Sequence, residues 1–412
     1  MGNIKKMFRL IKKMWNDKFL RNSFILTVSF FILNTANFFY HFFAARQLGP
    51  ESYSVIASLF SIIYLFSVGS NVIQTSITKF AAIFYAKKSF GKLKFLKNRA
   101  LRKLSFYSLG LFLVYLAISP LIAIFLHIEL LPVLITGILI LFIFILPVNR
   151  GILQGIQKFS ALGLNLIIEG VVKLVLVVIF ILIGWEVNGA LGAVVLGTFF
   201  AFIFSFSKIK GKLKKFDTKA VYSYSLPVIF AILSITAMFS LDLLLVKHLF
   251  LGKEAGYYSA LSLLGKIVFF GATAISLVMF SKVSELHARK VDTKKILKKA
   301  MAITGFIAIF ITIVYFIFSG LITSIIFGEE YFRIIPLLGP FGVFMTFMSL
   351  IYILTLYKLS IDKKKFVYLL GLFNIIQVVG IYLLSDSLTK IVYFLIAFSA
   401  VLFFSLLMIN RE

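Results

Sequence analysis

Lys87-Lys88-Ser89-Phe90-Gly91-Lys92-Leu93-Lys94-Phe95-Leu96-Lys97-Asn98-Arg99-Ala100-Leu101-Arg102-Lys103 places eight Lys and Arg between two apolar runs, 52–86 and 102–126. Working outward from it, similar clusters fall in every second gap: Lys208 to Lys219 holds six basic residues, Lys282 to Lys299 seven, and Lys358 to Lys365 four. The alternate gaps hold Arg46 with Glu51, then Glu129, Glu186, Lys253 with Glu254, Glu329 and Glu330 with Arg333, and Asp386 with Lys390. Basic residues retained on one side of a bilayer leave this alternation in a multi-span membrane protein. It assigns both termini and the basic loops to the cytoplasm of a cell-membrane protein.

Composition agrees. The 412 residues are 61% hydrophobic and 14% charged, against about 25% charged in soluble domains. A ~30 Å hydrocarbon core needs roughly 20 apolar residues per helix. About twelve such runs are present, near 23–45, 52–86, 102–126, 130–149, 160–184, 189–207, 219–248, 255–281, 298–320, 331–357, 366–384 and 389–410. The first 21 residues carry seven Lys/Arg and one Asp without a small-residue cleavage site. Residues 1–21 therefore read as an uncleaved, basic, amphipathic cytoplasmic lead-in.

The excess of 43 Lys+Arg over 15 Asp+Glu is divided among short loops and never forms one groove-sized patch, so nucleic acid is excluded as a partner. Anionic membrane lipids are the expected contact. Zero cysteines remove disulfides and thiolate chemistry. His41, His127, His248 and His287 show no metal-ligand spacing. No GxxxxGK[ST] phosphate loop is present, so hydrolysis by a P-loop mechanism is excluded.

An internal repeat organises the spans. Leu48-Gly49-Pro50-Glu51 follows the first, and Leu251-Gly252-Lys253-Glu254 follows the seventh, 203 residues later. Each leads through a Tyr (Tyr53, Tyr257) into a helix flecked with polar residues. Six spans per half gives two bundles of like orientation, expected at 22–210 and 211–412 and related by a pseudo-two-fold along the membrane normal. Parallel repeats of this kind occur in transporters whose halves rock about a substrate site.

Polar residues inside spans need a reason, because burying them unpaired is costly. Thr27, Asn34, Asn37 and His41 share one helical face of the first span. Ser67, Asn71, Thr75, Thr78 and Lys79 do so in the second, and Ser259, Ser262, Lys266 and Thr273 in the eighth. Either these line a cavity or they are interhelical packing contacts. Lys266, near the midplane and far from any loop, favours the cavity. Glu169 and Lys173 stand at i,i+4 in the fifth span, which admits a self-neutralised pair as well as a substrate site. Asp242, one turn before Lys247 and His248, could hold a coupling cation, take a proton, or pair with a lysine. Lys79 reads equally as a cavity cation or an interfacial one, and Arg46 falls at the cavity mouth.

Several segments carry a family likeness. An Asn- and Phe-rich first span runs into Ala44-Ala45-Arg46-Gln47-Leu48-Gly49-Pro50-Glu51-Ser52-Tyr53. Arg150-Gly151-Ile152-Leu153-Gln154-Gly155 through Phe159 precedes the helix with Glu169 and Lys173, and Gly184-Trp185-Glu186-Val187-Asn188-Gly189-Ala190 forms an elbow. With Asp242, Leu251-Gly252 and Gly256-Tyr257, the chain resembles the polysaccharide-biosynthesis flippases of the multidrug/oligosaccharidyl-lipid/polysaccharide exporter superfamily. The resemblance implies an all-α fold of two bundles around a V-shaped cavity. It also implies transfer of a lipid-linked oligosaccharide to the outer leaflet, with basic cavity residues on the pyrophosphate. The chain departs from the pattern at Leu243, where an Arg is usual beside such an Asp.

The expected function is thus a non-enzymatic, alternating-access flippase for a polyprenyl-pyrophosphate oligosaccharide. Its substrate contacts are expected at Lys266, Lys173, Lys79, Asn34, Asn37 and Asn71, with Asp242 and Glu169 as coupling or ion-pair groups and Arg46 at the mouth. It needs no cofactor beyond a coupling ion, H⁺ or Na⁺, works as a monomer, and has a glycan polymerase or glycosyltransferases as candidate partners. The alternatives are a multidrug or other small-molecule exporter of the same architecture, and a membrane glycosyltransferase or polymerase. Against the last, the longest outer gap, Gly320 to Arg333, offers only Glu329 and Glu330 as acids.

Overall fold

Inside hydrocarbon a backbone must bond its own N–H and C=O groups, so apolar runs of this length become helices. The computed structural model of the chain describes residues 18–209, 211–216, 226–271, 273–288, 290–361, 363 and 365–408. Its helices are α1 (Lys18–Ala86), α2 (Phe90–Leu126), α3 (Leu130–Ile143), α4 (Leu146–Gly155), α5 (Phe159–Leu182), α6 (Glu186–Ile203) and α7 (Leu226–Leu249). They continue as α8 (Lys253–Gly271), α9 (Thr273–Ala288), α10 (Lys294–Ile326), α11 (Ile335–Ser360), α12 (Phe366–Leu383) and α13 (Leu388–Met408), with a 3₁₀ turn at Glu329–Ile334. No strand occurs among the described residues. The lead-in 1–21 lies outside them up to residue 17.

Among the described residues, ten helices are long and apolar enough to span a membrane. The difference from the expected twelve has a local cause. One of the ten, Phe24–Ala86, holds two expected spans joined at Gly49, whose φ of 73° and ψ of 175° break the helix. The expected span 255–281 is divided between α8 and α9. Side chains such as Phe31, Phe106, Leu182, Phe306 and Leu383 are exposed on the helix surfaces, which suits contact with acyl chains and not with water.

The described chain groups by contact into two units. The first comprises residues 1–44, 69–120 and 130–225. In it α5 packs on α6 and α4, and α3 on α6. Gly170 of α5 lets Leu33 and Ala36 of α1 come within 3.2 Å of where a Cβ would stand, the close approach that small residues allow between membrane helices. A separate apolar cluster joins Ile77, Ala81 and Phe84 of α1 to Leu93 and Leu96 of α2 and Ile152 of α4.

The second unit comprises residues 45–68, 121–129 and 226–412. Helix α11 is its centre, packing against α8, α9, α10 and α13, with Phe341, Phe344, Met345, Met348 and Ile351 fully buried. Residues 45–68 and 121–129 belong here through specific contacts. Tyr331 Oη donates to Ala45 O (3.1 Å), Lys247 Nζ to Ser54 Oγ (2.9 Å) and His248 Nδ1 to Phe125 O (2.6 Å). Both repeat elbows use a left-handed glycine, Gly49 and Gly252 (φ 60°), where a side chain would be strained. The second copy also leans on the first: a Cβ on Gly256 would overlap the backbone carbonyl of Pro50.

Candidate functional site

Each unit buries a charged cluster, and in each a lysine lies on a tyrosine ring. In the first unit, Lys173 of α5 is 7% exposed. Its Nζ donates to Asn37 Oδ1 of α1 and sits 5.2 Å from the Tyr40 ring centroid. One turn earlier on α5, Glu169 meets Arg150 of α4: Nη2 to Oε2 is 2.5 Å. Arg150 Nε also donates to Asn165 Oδ1 (2.8 Å), and Asn165 Nδ2 donates to Ala201 O of α6 (2.5 Å). Glu169 therefore has Arg150 as its hydrogen-bonded partner, with Lys173 in electrostatic reach one turn away. Of the two readings that the i,i+4 spacing of Glu169 and Lys173 left open, the direct ion pair of Glu169 is made with Arg150.

Arg150 was not among the residues expected at the site. Its sequence signal is an arginine directly after an apolar run, at the head of the Arg150–Gly155 motif. Nothing in sequence spacing could place it opposite Glu169, because α4 and α5 are joined by a turn whose geometry sets the encounter. Gln154, one helical turn after Arg150, accepts from Gln74 (3.1 Å) and Thr78 (3.2 Å) of α1, so α4 is tied to the second leg of α1 by polar contacts.

In the second unit, Asp242 of α7 is fully buried. Its carboxylate accepts from Tyr258 Oη of α8 (2.7 Å) and from the Leu243 amide (2.7 Å). Lys266 of α8, 7% exposed, lies 4.8 Å from the Tyr64 ring centroid and within electrostatic reach of Asp242. Cation–π contact and an opposite charge together offset part of the desolvation of a buried ammonium. Lys247 and His248, the sequence neighbours of Asp242, are engaged with Ser54 and Phe125 instead. On the same two helices, α7 and α8, the Ser240 and Ser262 hydroxyls are buried without a hydrogen-bond partner, although buried polar atoms are normally satisfied.

The other expected residues are more open. Asn34 is exposed, with Nδ2 donating to Phe30 O of its own helix (2.8 Å). Asn71 and Lys79 are exposed on the second leg of α1. Arg46 donates through Nη1 to Ile325 O (2.6 Å). The Thr273 side chain lies outside the described residues. Among the described residues no group of three or more His, Asp or Glu stands together to hold a metal ion.

The sequence profile of the family described as "Polysaccharide biosynthesis protein" matches residues 43–336. No curated protein matches the sequence significantly. Among solved structures, the lipid II flippase MurJ in its inward closed conformation aligns with a TM-score of 0.72 at 15% identity, covering 94% of this chain and 88% of that one. An outward-facing multidrug resistance MATE family transporter of the MOP superfamily aligns with a TM-score of 0.67 at 15% identity, covering 96% and 94%. A MOP superfamily transporter from Pyrococcus furiosus, described by the reverse polarity of its binding pocket, gives 0.64 at 18% identity, covering 94% and 95%. At these identities the likeness establishes a shared fold.

Proposed function

This chain belongs to the polysaccharide biosynthesis protein family, and on that premise we propose that it is a flippase for a polyprenyl-pyrophosphate oligosaccharide. It is read as working by alternating access in the cytoplasmic membrane, with both termini in the cytoplasm and with 22–210 and 211–412 as its repeated halves. Moving a charged, hydrated headgroup through ~30 Å of hydrocarbon requires compensating charge and hydrogen bonds. The observation that carries the reading is the buried lysine in each unit, Lys173 and Lys266, held on a tyrosine face and not paired directly to a carboxylate. A cation so held can turn to an incoming phosphate without first breaking a direct ion pair. Asn37, Asn34, Asn71 and the Ser262 hydroxyl offer hydrogen bonds to sugar hydroxyls, while Lys79 and Arg46 add positive charge along the path.

Asp242 supplies the coupling group. Its carboxylate, bonded to Tyr258 and facing Lys266, exchanges a proton or a Na⁺ ion as the carrier cycles, and no other cofactor is involved. Glu169, held by Arg150, is a fixed ion-pair member. The chain is read as a carrier and not an enzyme, acting as a monomer beside the glycosyltransferases and polymerase that make and use its cargo. A multidrug exporter would be expected to centre on free carboxylates; here Glu169 and Asp242 both already have hydrogen-bond donors.

The deciding experiment is glycan export by Lys266→Ala and Lys266→Arg at matched expression. The alanine variant should lose export while remaining inserted, and the arginine variant should keep part of it because the charge remains. Normal export by the alanine variant would refute the phosphate-binding role, and drug efflux by the native protein would favour the exporter reading.

A further inference from the structure

We propose that the basic N-terminal end of α2 is a specific seat for the headgroup of an anionic phospholipid. A cavity of about 620 Å³ is lined by Phe95, Asn98, Arg99, Arg102, Lys103 and Leu213, with Leu101. It lies in the first unit and shares no residue with the Lys173 cluster, and no part of the transport reading uses it.

The eight basic residues of 87–103 are not one diffuse patch. Lys94 Nζ donates to Gly211 O (3.3 Å) and Lys97 Nζ to Ser207 O (2.6 Å). The Lys214 amide donates to Gly91 O (3.1 Å), and the Phe216 ring wedges against Phe84 (4.7 Å) and Phe95 (5.7 Å). These contacts fasten the segment after α6 to the corner of α1 and α2, and they bring Leu213 over as a wall of the cavity. Two of the lysines are thereby spent on protein carbonyls. Arg99 and Arg102 remain exposed at the cavity, Arg99 stacking 5.5 Å from the Phe95 ring.

What lies next along the helix identifies the ligand as a lipid. At 100° per residue, Arg99, Arg102, Lys103, Phe106, Leu109 and Leu113 fall on one face. Phe106 (76%), Leu109 (50%) and Leu113 (56%) are exposed, so a cation-lined cavity continues into a bare apolar stripe. A free anion would use only the first part. A phosphodiester carrying acyl chains uses both, with two guanidinium forks on the phosphate and the chains along Phe106 to Leu113. Basic pockets beside membrane helices bind lipid headgroups through the same combination.

The test uses the full chain, purified from vesicles of phosphatidylcholine containing a minority of phosphatidylglycerol, with retained lipid counted by native mass spectrometry. Arg99→Gln should weaken phosphatidylglycerol retention about fivefold, the effect of one surface cation, and Arg99→Gln/Arg102→Gln should abolish the selective adduct. Arg99→Lys/Arg102→Lys should retain part of it, which separates loss of charge from loss of fold. Lys294→Gln/Lys295→Gln/Lys298→Gln, on an exposed basic turn of α10, should leave retention unchanged. Retention by the double glutamine variant equal to native overturns the proposal. So does an equal loss in the α10 variant, which would indicate diffuse surface charge. Complete displacement of the lipid by inorganic phosphate would mark a free-anion site and overturn it as well.

Discussion

Arg150 and Glu169, on consecutive helices and separated by one turn of chain at Gln157–Lys158, are joined by a 2.5 Å ion pair. The pair links α4 to α5, and α5 carries Lys173. It also removes Glu169 from the inventory of groups free to bind a cation. Arg150→Met should destabilise the protein by about 2–3 kcal/mol, because it leaves a partly buried carboxylate without its charged donor. Arg150→Met/Glu169→Leu should recover much of that loss. The midpoint of thermal unfolding in detergent, followed by size-exclusion chromatography, reads both. A double variant no better than the single would mean that Arg150 acts through Asn165 and not through Glu169.

Asp242→Asn keeps the acceptor for Tyr258 and removes the charge. Export should lose its dependence on pH or on Na⁺, while the amount of folded protein in the membrane stays near native. Intact transport with intact ion dependence would return Asp242 to a purely structural role beside Lys266.

Tyr64→Leu removes the ring under Lys266 and keeps an apolar side chain of moderate size. A desolvated cation–π contact contributes about 2 kcal/mol, so the melting midpoint should fall by a matching few degrees, and Lys266→Met should cancel most of the effect. Independent, additive losses in the double variant would show that the ring and the ammonium do not interact.

Topology is directly testable because the chain has no cysteine. Cysteines introduced beside Glu186 and Glu329 should react with an impermeant thiol reagent in intact cells, and one beside Lys212 should react only after lysis. Reaction at the last position in sealed cells would reverse the orientation assigned by the basic loops.

Gly256→Ala should destabilise by about 1–3 kcal/mol through overpacking against the Pro50 carbonyl. Gly110→Ala, on an open face of α2 where an added Cβ meets nothing, should instead stabilise by up to about 1 kcal/mol. Equal melting midpoints for the two variants would mean that the elbow yields without strain.

Much of the fold could be read from the sequence because its determinants are local. Hydropathy marks the spans, and Gly49-Pro50 and Leu251-Gly252 mark elbows whose backbone demands glycine. The lysines were also visible, since an ammonium within an apolar run stands out by composition alone. Their partners were not. Asp242 is bonded to Tyr258, sixteen residues away on the next helix, and not to its neighbours Lys247 and His248; helix-to-helix register decides that, and spacing along one helix carries no trace of it. Arg150 opposite Glu169 and Tyr64 under Lys266 were hidden for the same reason. The aromatic partners had a further disguise, because among 49 Phe and 17 Tyr no single ring is distinctive.

The meeting of the two elbows, Gly256 against the Pro50 carbonyl, is made of shape alone. No titratable atom takes part, so acid, alkali and salt leave its strength unaltered. Beside it, the exposed Arg333–Glu254 pair weakens as ionic strength rises. A salt-dependent change in local stability at this corner therefore comes from the Arg333–Glu254 pair, while the elbow seam acts as a fixed mechanical reference. The seam also ties the duplicated sequences to each other: a side chain gained at position 256 in one copy would demand a compensating retreat at position 50 in the other.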